Sequence, residues 1–161
     1  MNPLSFWLLL LCGTAFPAPV NAADIAGRVV RVSDGDTITL DTGSARVVVR
    51  LQDIDAPEGD QDYGQESRAS LNAMCPVGTP ASGPIKEHDR YGRPVVRLNC
   101  TGGDASLEQV RAGAAWVSVR YAPKDSPLYP VEAEARAARR GLWIAPSPTP
   151  PWVYRKDRLS R

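Results

Sequence analysis

The order of local patterns along the chain predicts a mainly β fold with packed helices, of the α+β class. Three observations carry that expectation. Turn-forming residues at 34–35 and 42–44 divide the stretch from Gly27 to Gln52 into three short segments rich in β-branched residues. Two more strand-like segments, ASGPIKEH and GRPVVRLNC, come after a helical one. Two helical patterns then close the region, so the expected order is β-β-β-α-β-β-α-α.

Taken in turn, GRVVRVS (27–33) reads as the first strand and Asp34-Gly35 as a two-residue hairpin turn into DTITLDT. Thr42-Gly43-Ser44 turns the chain again. In the third strand, ARVVVRLQ, side chains alternate between faces, so Arg46, Val48 and Arg50 lie opposite Val47, Val49 and Leu51. A helix is expected from about Gln65 to Met74, with Leu71 and Met74 on its inner side, and Pro76 follows its end. Tyr91-Gly92 falls at the turn between the fourth and fifth strands, so Arg93 projects from the start of the fifth. Ser106 with Gln109 three residues on reads as a capping box, Leu107 and Val110 as the inward side of that helix and Gly113 as its stop. The last helix spans about Pro127 to Arg140, with Leu128, Val131, Ala135, Ala138 and Leu142 as an apolar stripe, a Glu132–Arg136 pair and Gly141 as terminator. Trp116 and Trp143 read as core residues.

The chain has 161 residues, enough for one domain with a real core. Residues 1–22 carry no charged side chain, hold an apolar run from Phe6 to Cys12 and end in Val20-Asn21-Ala22, a small-residue cleavage pattern. The run is too short to span a bilayer, which takes about 20 apolar residues. The expectation is a signal peptide cleaved after Ala22, secretion or delivery to the periplasm, and no stable membrane association afterwards. Cys12 follows Leu11 and is read as an ordinary apolar residue of that segment. Residues 23–145 then form the domain, and 146–161 a tail. The remaining cysteines, Cys75 and Cys100, flank two antiparallel strands that bring them close, and an even pair in an exported chain points to a disulfide.

A formal net charge of +1 gives no global steering toward polyanions. Positive charge is local: Arg136, Arg139 and Arg140 on the last helix, and Arg155, Lys156, Arg158 and Arg161 in the tail. The proline-rich APSPTPP reads as extended, and the basic, aromatic WVYRKDRLSR after it as a disordered end or a flexible arm contacting nucleic acid. The only histidine, His88, sits among charged neighbours and is expected to be exposed, Asp34 is read as a turn residue, and Asp53 as either a structural acid or an outer partner of a metal.

The chemistry resides in SDGDT, VRLQDIDAPEG and DRYGRP, each placed where a strand begins, ends or turns. Asp36 and Asp55 suit a hard divalent cation, which takes oxygen ligands. Arg50 and Arg93 are planar, permanently charged forks fitted to phosphoryl oxygens, and Glu58 is left to orient and deprotonate water, or to hold the metal through one. The combination suits metal-assisted cleavage of a phosphodiester.

At these residues the chain resembles the staphylococcal nuclease family, from about Arg28 to about Trp143. Asp36 follows Asp-Gly, Arg50 ends the third strand, Asp55-Ala56-Pro57-Glu58 matches the family's Asp-x-Pro-Glu, and Arg90-Tyr91-Gly92-Arg93 its basic-Tyr-Gly-Arg segment. The resemblance implies an OB-fold barrel of five strands with helices packed on it. It implies calcium held by Asp36, Asp55 and the main-chain carbonyl of Ala56, with Glu58 as general base and Arg50 and Arg93 as phosphate clamps. Substrate contacts fall to Arg90, Tyr91 and Tyr121; a second nucleotide-binding tyrosine of the family is replaced by Val119, and the loop after Glu58 lacks a lysine-rich stretch. The expected activity is endonucleolytic hydrolysis of DNA and RNA leaving 3′-phosphate ends, by a monomer. A non-catalytic OB-fold module that only binds nucleic acid is the alternative.

Overall fold

The structure, a computed structural model, describes residues 24–160. The expected signal peptide and its cleavage point lie outside the described residues. Five strands close on themselves: β1 (Asp24–Asp34), β2 (Thr37–Asp41), β3 (Arg46–Leu51), β5 (Pro80–His88) and β6 (Pro94–Val96). β1 pairs antiparallel with β2 and β5, β2 with β3 and β5 with β6, while β3 and β6 run parallel and complete the barrel. This is the OB-like arrangement. Val29, Ile38, Leu40, Val49, Leu51, Val96 and Leu98 fill it and are wholly buried. Each such side chain contributes about 1.5–3 kcal/mol relative to exposure.

Several small elements escape a reading based on periodicity because they are two residues long and held by tertiary contacts. β4 (Ile54–Asp55) pairs with β9 (Trp116–Val117), placing Asp55 opposite Trp116. β7 (Asn99–Cys100) and β8 (Gly103–Asp104) make a further antiparallel pair, so the expected fifth strand is broken after Val96. α1 (Gly64–Met74) packs on β1, and α2 (Ala105–Arg111) packs on α3 (Leu128–Ala137). A 3₁₀ turn (Gly141–Ile144) brings Trp143 against Trp116, ring centroids 5.3 Å apart.

Four local expectations are corrected. The β1–β2 turn is Gly35-Asp36 rather than Asp34-Gly35, since Asp34 still pairs with Thr37. Gly35 is required there for space, because a Cβ would run into the Ser67 hydroxyl of α1. The cap of α2 is Asp104, whose carboxylate accepts from the Ser106 and Leu107 amides at 3.0 and 3.2 Å; there is no capping box, since Ser106 donates its hydroxyl to the Gln52 carbonyl and Gln109 is buried elsewhere. α3 ends earlier than expected, at Ala137: Arg139 already adopts the left-handed conformation (φ 51°) two residues before Gly141 (φ 56°), and Ala138 is exposed. The Arg140 amide reaches back to the Ala135 carbonyl, which is how a Schellman-type stop satisfies the last turn.

The tail is the largest correction. Residues Pro151–Leu159 form α4, neither a disordered end nor a flexible arm. Pro151 stands at the first helical position, where a missing amide hydrogen costs nothing, and Lys156 and Arg158 face the negative end of the dipole. A nine-residue helix is marginal alone, so docking must hold it. Trp152 lies edge-on to Trp116 (6.4 Å), the Tyr154 hydroxyl donates to the Asp60 carbonyl (3.1 Å) and Arg158 pairs with Asp60 (3.0 Å).

Cys75 and Cys100 are bonded, closing a loop with a sequence separation of 25 residues. Replacing both by serine is expected to lower unfolding stability by about 3 kcal/mol on loop-entropy grounds. Denaturant midpoints of the two proteins check this, and coincident curves would show that the bridge restrains nothing.

Candidate active site

Three carboxylates meet at one end of the barrel. Asp36 sits in the β1–β2 turn, Asp55 in β4 and Glu58 three residues further on; Asp36 and Asp55 are buried and the Glu58 side chain is one-third exposed. Arg50, near the end of β3, joins the first two: one terminal nitrogen donates to Asp36 Oδ1 and the other to Asp55 Oδ1, both at 2.9 Å. A single planar fork thus holds the two acids within its own width. Burial alone would push Arg50 below its ordinary pKa, but Asp36 and Asp55 outweigh it and the pKa is raised. Asp36 also accepts from the Thr37 hydroxyl and, through Oδ2, from the Ala56 amide, both at 2.9 Å.

The surrounding fold fixes these positions. Gln109, fully buried, donates to the Gly35 carbonyl (2.7 Å) and the Ser67 carbonyl (3.1 Å), fastening the Asp36 turn to α1. Asp53 adopts a positive φ of 63°, which an aspartate tolerates better than most residues, and turns the chain between β3 and β4. Its ion pair with Lys86 (2.9 Å) agrees with a structural role. Glu132 accepts from the Val117 amide (2.9 Å) and pairs with Arg136 (3.1 Å), steadying β9 and through it β4. Gly64 lies so close to the Glu58 carbonyl that a Cβ would overlap it, and the buried Gln61 accepts from the Glu58 amide (3.1 Å) while donating to the Thr149 carbonyl (2.6 Å).

Glu58 has a partner that the sequence motifs do not suggest. Arg155 of α4 donates to Asp55 Oδ2 and Glu58 Oε1, each at 2.7 Å, and to Asp55 Oδ1 at 3.2 Å. The hydrogen bonds it donates to Asp55, and then to Glu58, raise its pKa against the opposing effect of partial burial.

Arg93 is not in this network. Its head is turned onto Asp89, with Nε and a terminal nitrogen 2.7 Å from Oδ2. Asp89 also accepts from the Tyr91 and Arg93 amides at 2.9 and 3.0 Å; burial opposes, but these bonds hold its carboxyl below the usual range. Val95 is the register partner of Arg50, and Arg93 lies two residues before it, just ahead of the start of the adjacent strand. Arg90 and Arg93 flank the Tyr91 ring at 4.7 and 5.4 Å, and Tyr91 is 68% exposed. Tyr121 (56% exposed) lies under the Arg120 guanidinium at 5.4 Å, Val119 is exposed, and His88 is exposed and outside the acid network. A cleft of about 660 Å³ between α3 and the proline segment, lined by Trp116, Glu132, Arg136, Trp143 and Trp152, is bordered by none of Asp36, Asp55 and Glu58; α4 contributes Trp152 to its wall.

Converging acids with a guanidinium fork between them suit attack on a phosphoryl centre, and comparison with known proteins points the same way. The family model described as Staphylococcal nuclease homologue matches residues 48–145. The chain belongs to the staphylococcal nuclease family. Its activity is hydrolytic, that of a nuclease, and nucleic acid is its substrate. A protein of Escherichia coli O157:H7 named uncharacterized endonuclease is 43% identical over 142 residues, covering 87% of this chain and 91% of that protein. A micrococcal nuclease of Shigella flexneri is 39% identical over 144 residues (83% and 82%), and Protein ParB of Escherichia coli 35% over 150 residues (86% and 84%). Within this nuclease the matched span contains Arg50, Asp55, Glu58 and Arg93; Asp36 precedes it and α4 follows it.

No three Asp, Glu, His or Cys side chains among the described residues are grouped tightly enough to cage a metal. The donor chemistry nonetheless fits a hard divalent cation: Asp36 and Asp55 converge on one fork, Ala56 adjoins them, and all the available donors are oxygens. What stands against occupancy is Arg155, which takes up both Asp55 oxygens and one oxygen of Glu58.

Asp34, half-buried, accepts from the Asp36 amide at 3.1 Å. Burial, then the charge of Asp36, push its carboxyl up to about 7 from an ordinary 3.8. The native state therefore binds a proton there that the unfolded chain has released, so the associated stabilisation is complete below the unfolded value and is lost as pH rises through about 7. Asp34→Asn removes that dependence. Denaturation midpoints taken in chelator from about pH 4 to about pH 8 should fall for the wild type relative to the variant. Parallel curves would place no proton on Asp34.

Proposed function

We propose that this nuclease is an exported, divalent-metal-dependent endonuclease that cleaves DNA and RNA as a monomer, with calcium as its cofactor, and leaves 3′-phosphate ends. The observation that carries the reading is the Arg50 fork between Asp36 and Asp55, with Glu58 beside Asp55. The endonuclease and nuclease names of its relatives support the same reaction class. The Cys75–Cys100 bridge supports an oxidising compartment, in keeping with the signal-like residues 1–22. No described helix is long and apolar enough to cross a membrane.

Asp36, Asp55 and the Ala56 carbonyl would hold the cation, which would supply polarisation of a phosphoryl oxygen. Glu58 orients a water and takes its proton as the water oxygen bonds to phosphorus. Arg50 holds an equatorial oxygen with the terminal nitrogens it turns toward the acids, and Arg93 swings from Asp89 to a second one. The bond from phosphorus to the 5′ oxygen breaks, that oxygen takes a proton from solvent water, and the phosphate stays on the 3′ side. Arg93 stabilises the charge that builds on the phosphoryl oxygens. Arg90, Tyr91 and Tyr121 stand exposed to receive flanking phosphates and bases.

Closed-circular plasmid and single-stranded RNA, incubated with calcium or with chelator, test the whole reading. Nicking of the circle, loss of cleavage in chelator and products whose mobility shifts after 3′-phosphatase treatment are expected. Undiminished cleavage in chelator would remove the metal, and 5′-phosphate products would reverse the direction of bond breaking. Glu58→Gln should lower kcat by roughly 10²-fold or more with the fold intact by circular dichroism. Arg50→Lys should be at least as severe, because an ammonium cannot bridge two carboxylates as a fork does. Unchanged turnover in either variant would take that residue out of the mechanism.

A further inference from the structure

We propose that Arg155 is a built-in cation that competes with the divalent metal for Asp55 and Glu58, so that α4 releases the acids when metal binds. The inference rests on the metal-dependent reading above and adds to it a segment to which neither the acid motifs nor the arginine motifs assign a role.

The contact is specific in its geometry. Arg155 reaches residues that stand 97 and 100 positions before it in the chain and makes three hydrogen bonds there, to both oxygens of Asp55 and to Glu58 Oε1. Asp55 Oδ1 already accepts from Arg50, so Asp55 has donors on both oxygens from two guanidinium groups. Calcium takes carboxylate oxygens at roughly 2.3–2.6 Å, and at this site it would need oxygens of Asp55 and Glu58 that already accept from these N–H groups. With Arg155 in place, the incoming ion meets a like charge at contact range as well as filled acceptors. Glu58 is affected too, because the oxygen that must face water faces a guanidinium.

The attachment of α4 is of a kind that can let go. Its remaining anchors are the Trp152 edge contact on Trp116, the Tyr154 hydrogen bond, the Gln61 bond to Thr149 just before the helix, and the exposed Arg158–Asp60 pair. Pro151 is buried, but Val153 and Trp152 are each 38% exposed and Leu159 is 90% exposed, so the apolar surface of the helix is only partly sealed. Exposed ion pairs contribute little to stability. The three hydrogen bonds of Arg155 are the only ones from the helix to buried or half-buried carboxylates, and a metal that takes Asp55 removes the two made to it.

Calorimetric titration of calcium into the full chain, with no nucleic acid, tests the competition. Arg155→Met should bind calcium at least tenfold more tightly than the wild type. Arg158→Met, which deletes the same charge one turn on, should not, and an equal gain there would reduce the effect to bulk electrostatics and overturn the proposal. Trp152→Ala, which loosens α4 without touching the acids, should move the affinity the same way as Arg155→Met and serves if that variant misfolds. In the wild type, hydrogen exchange over residues 151–159 should accelerate severalfold on adding calcium, and unchanged protection would overturn the release. Calcium binding that is equal in wild type and Arg155→Met defeats the competition and leaves the metal-dependent reading standing. No binding in either protein defeats both.

Discussion

Two buried carboxylates from different parts of the chain, brought together on one guanidinium, are what the rest of this structure serves. Asp36 and Asp55 would repel one another at this separation, and an unpaired buried charge costs several kcal/mol. Arg50 removes that cost by lying between them, 2.9 Å from each. The requirement propagates outward. The Asp36 turn has to press against α1, hence Gly35 where no side chain fits. The turn has to stay there, hence Gln109, buried and hydrogen-bonded to the carbonyls of Gly35 and Ser67. Asp55 has to be reached from β3 in a few residues, hence the left-handed Asp53 and the two-residue pairing of β4 with β9.

What could be read in the sequence follows from this division. The five barrel strands, α1, the disulfide and the three acid-and-arginine segments were legible because each is signalled locally, by alternation, turn residues or spacing. Asp34-Gly35 was located correctly as a hairpin and misplaced by one residue, since the usual reason for glycine in a tight turn is a positive φ and here the reason is contact with Ser67. The Ser106–Gln109 spacing satisfies the capping-box pattern, yet both side chains are used in tertiary bonds and Asp104 takes the cap. Propensity and spacing lose wherever a buried partner offers more. Arg155 and Gln61 belong to the same class: no local pattern distinguishes them from solvated residues, and only the docking of the tail gives them partners. A proline-rich stretch before a basic decapeptide reads as loose chain by composition. The sole local sign of a helix was Pro151 at its start, followed by two aromatics able to anchor it.

The two walls of the site differ in how their charges are satisfied. On the acid wall Asp36 and Asp55 are buried and every one of their oxygens accepts from the protein itself. On the basic wall Arg90 and Tyr91 are exposed, and Arg93 is oriented by one partly exposed aspartate in a tight turn. This asymmetry is what desolvation would select. Cationic groups left in water cost nothing to keep and are ready to meet a polyanion, whereas acids held in a low-dielectric recess need counter-charge at all times. Arg50 is rooted in the barrel and stays with them through any exchange. Arg155 is rooted in a short helix on the surface, so of the two counter-charges it is the one that a stronger cation can replace without disturbing the barrel.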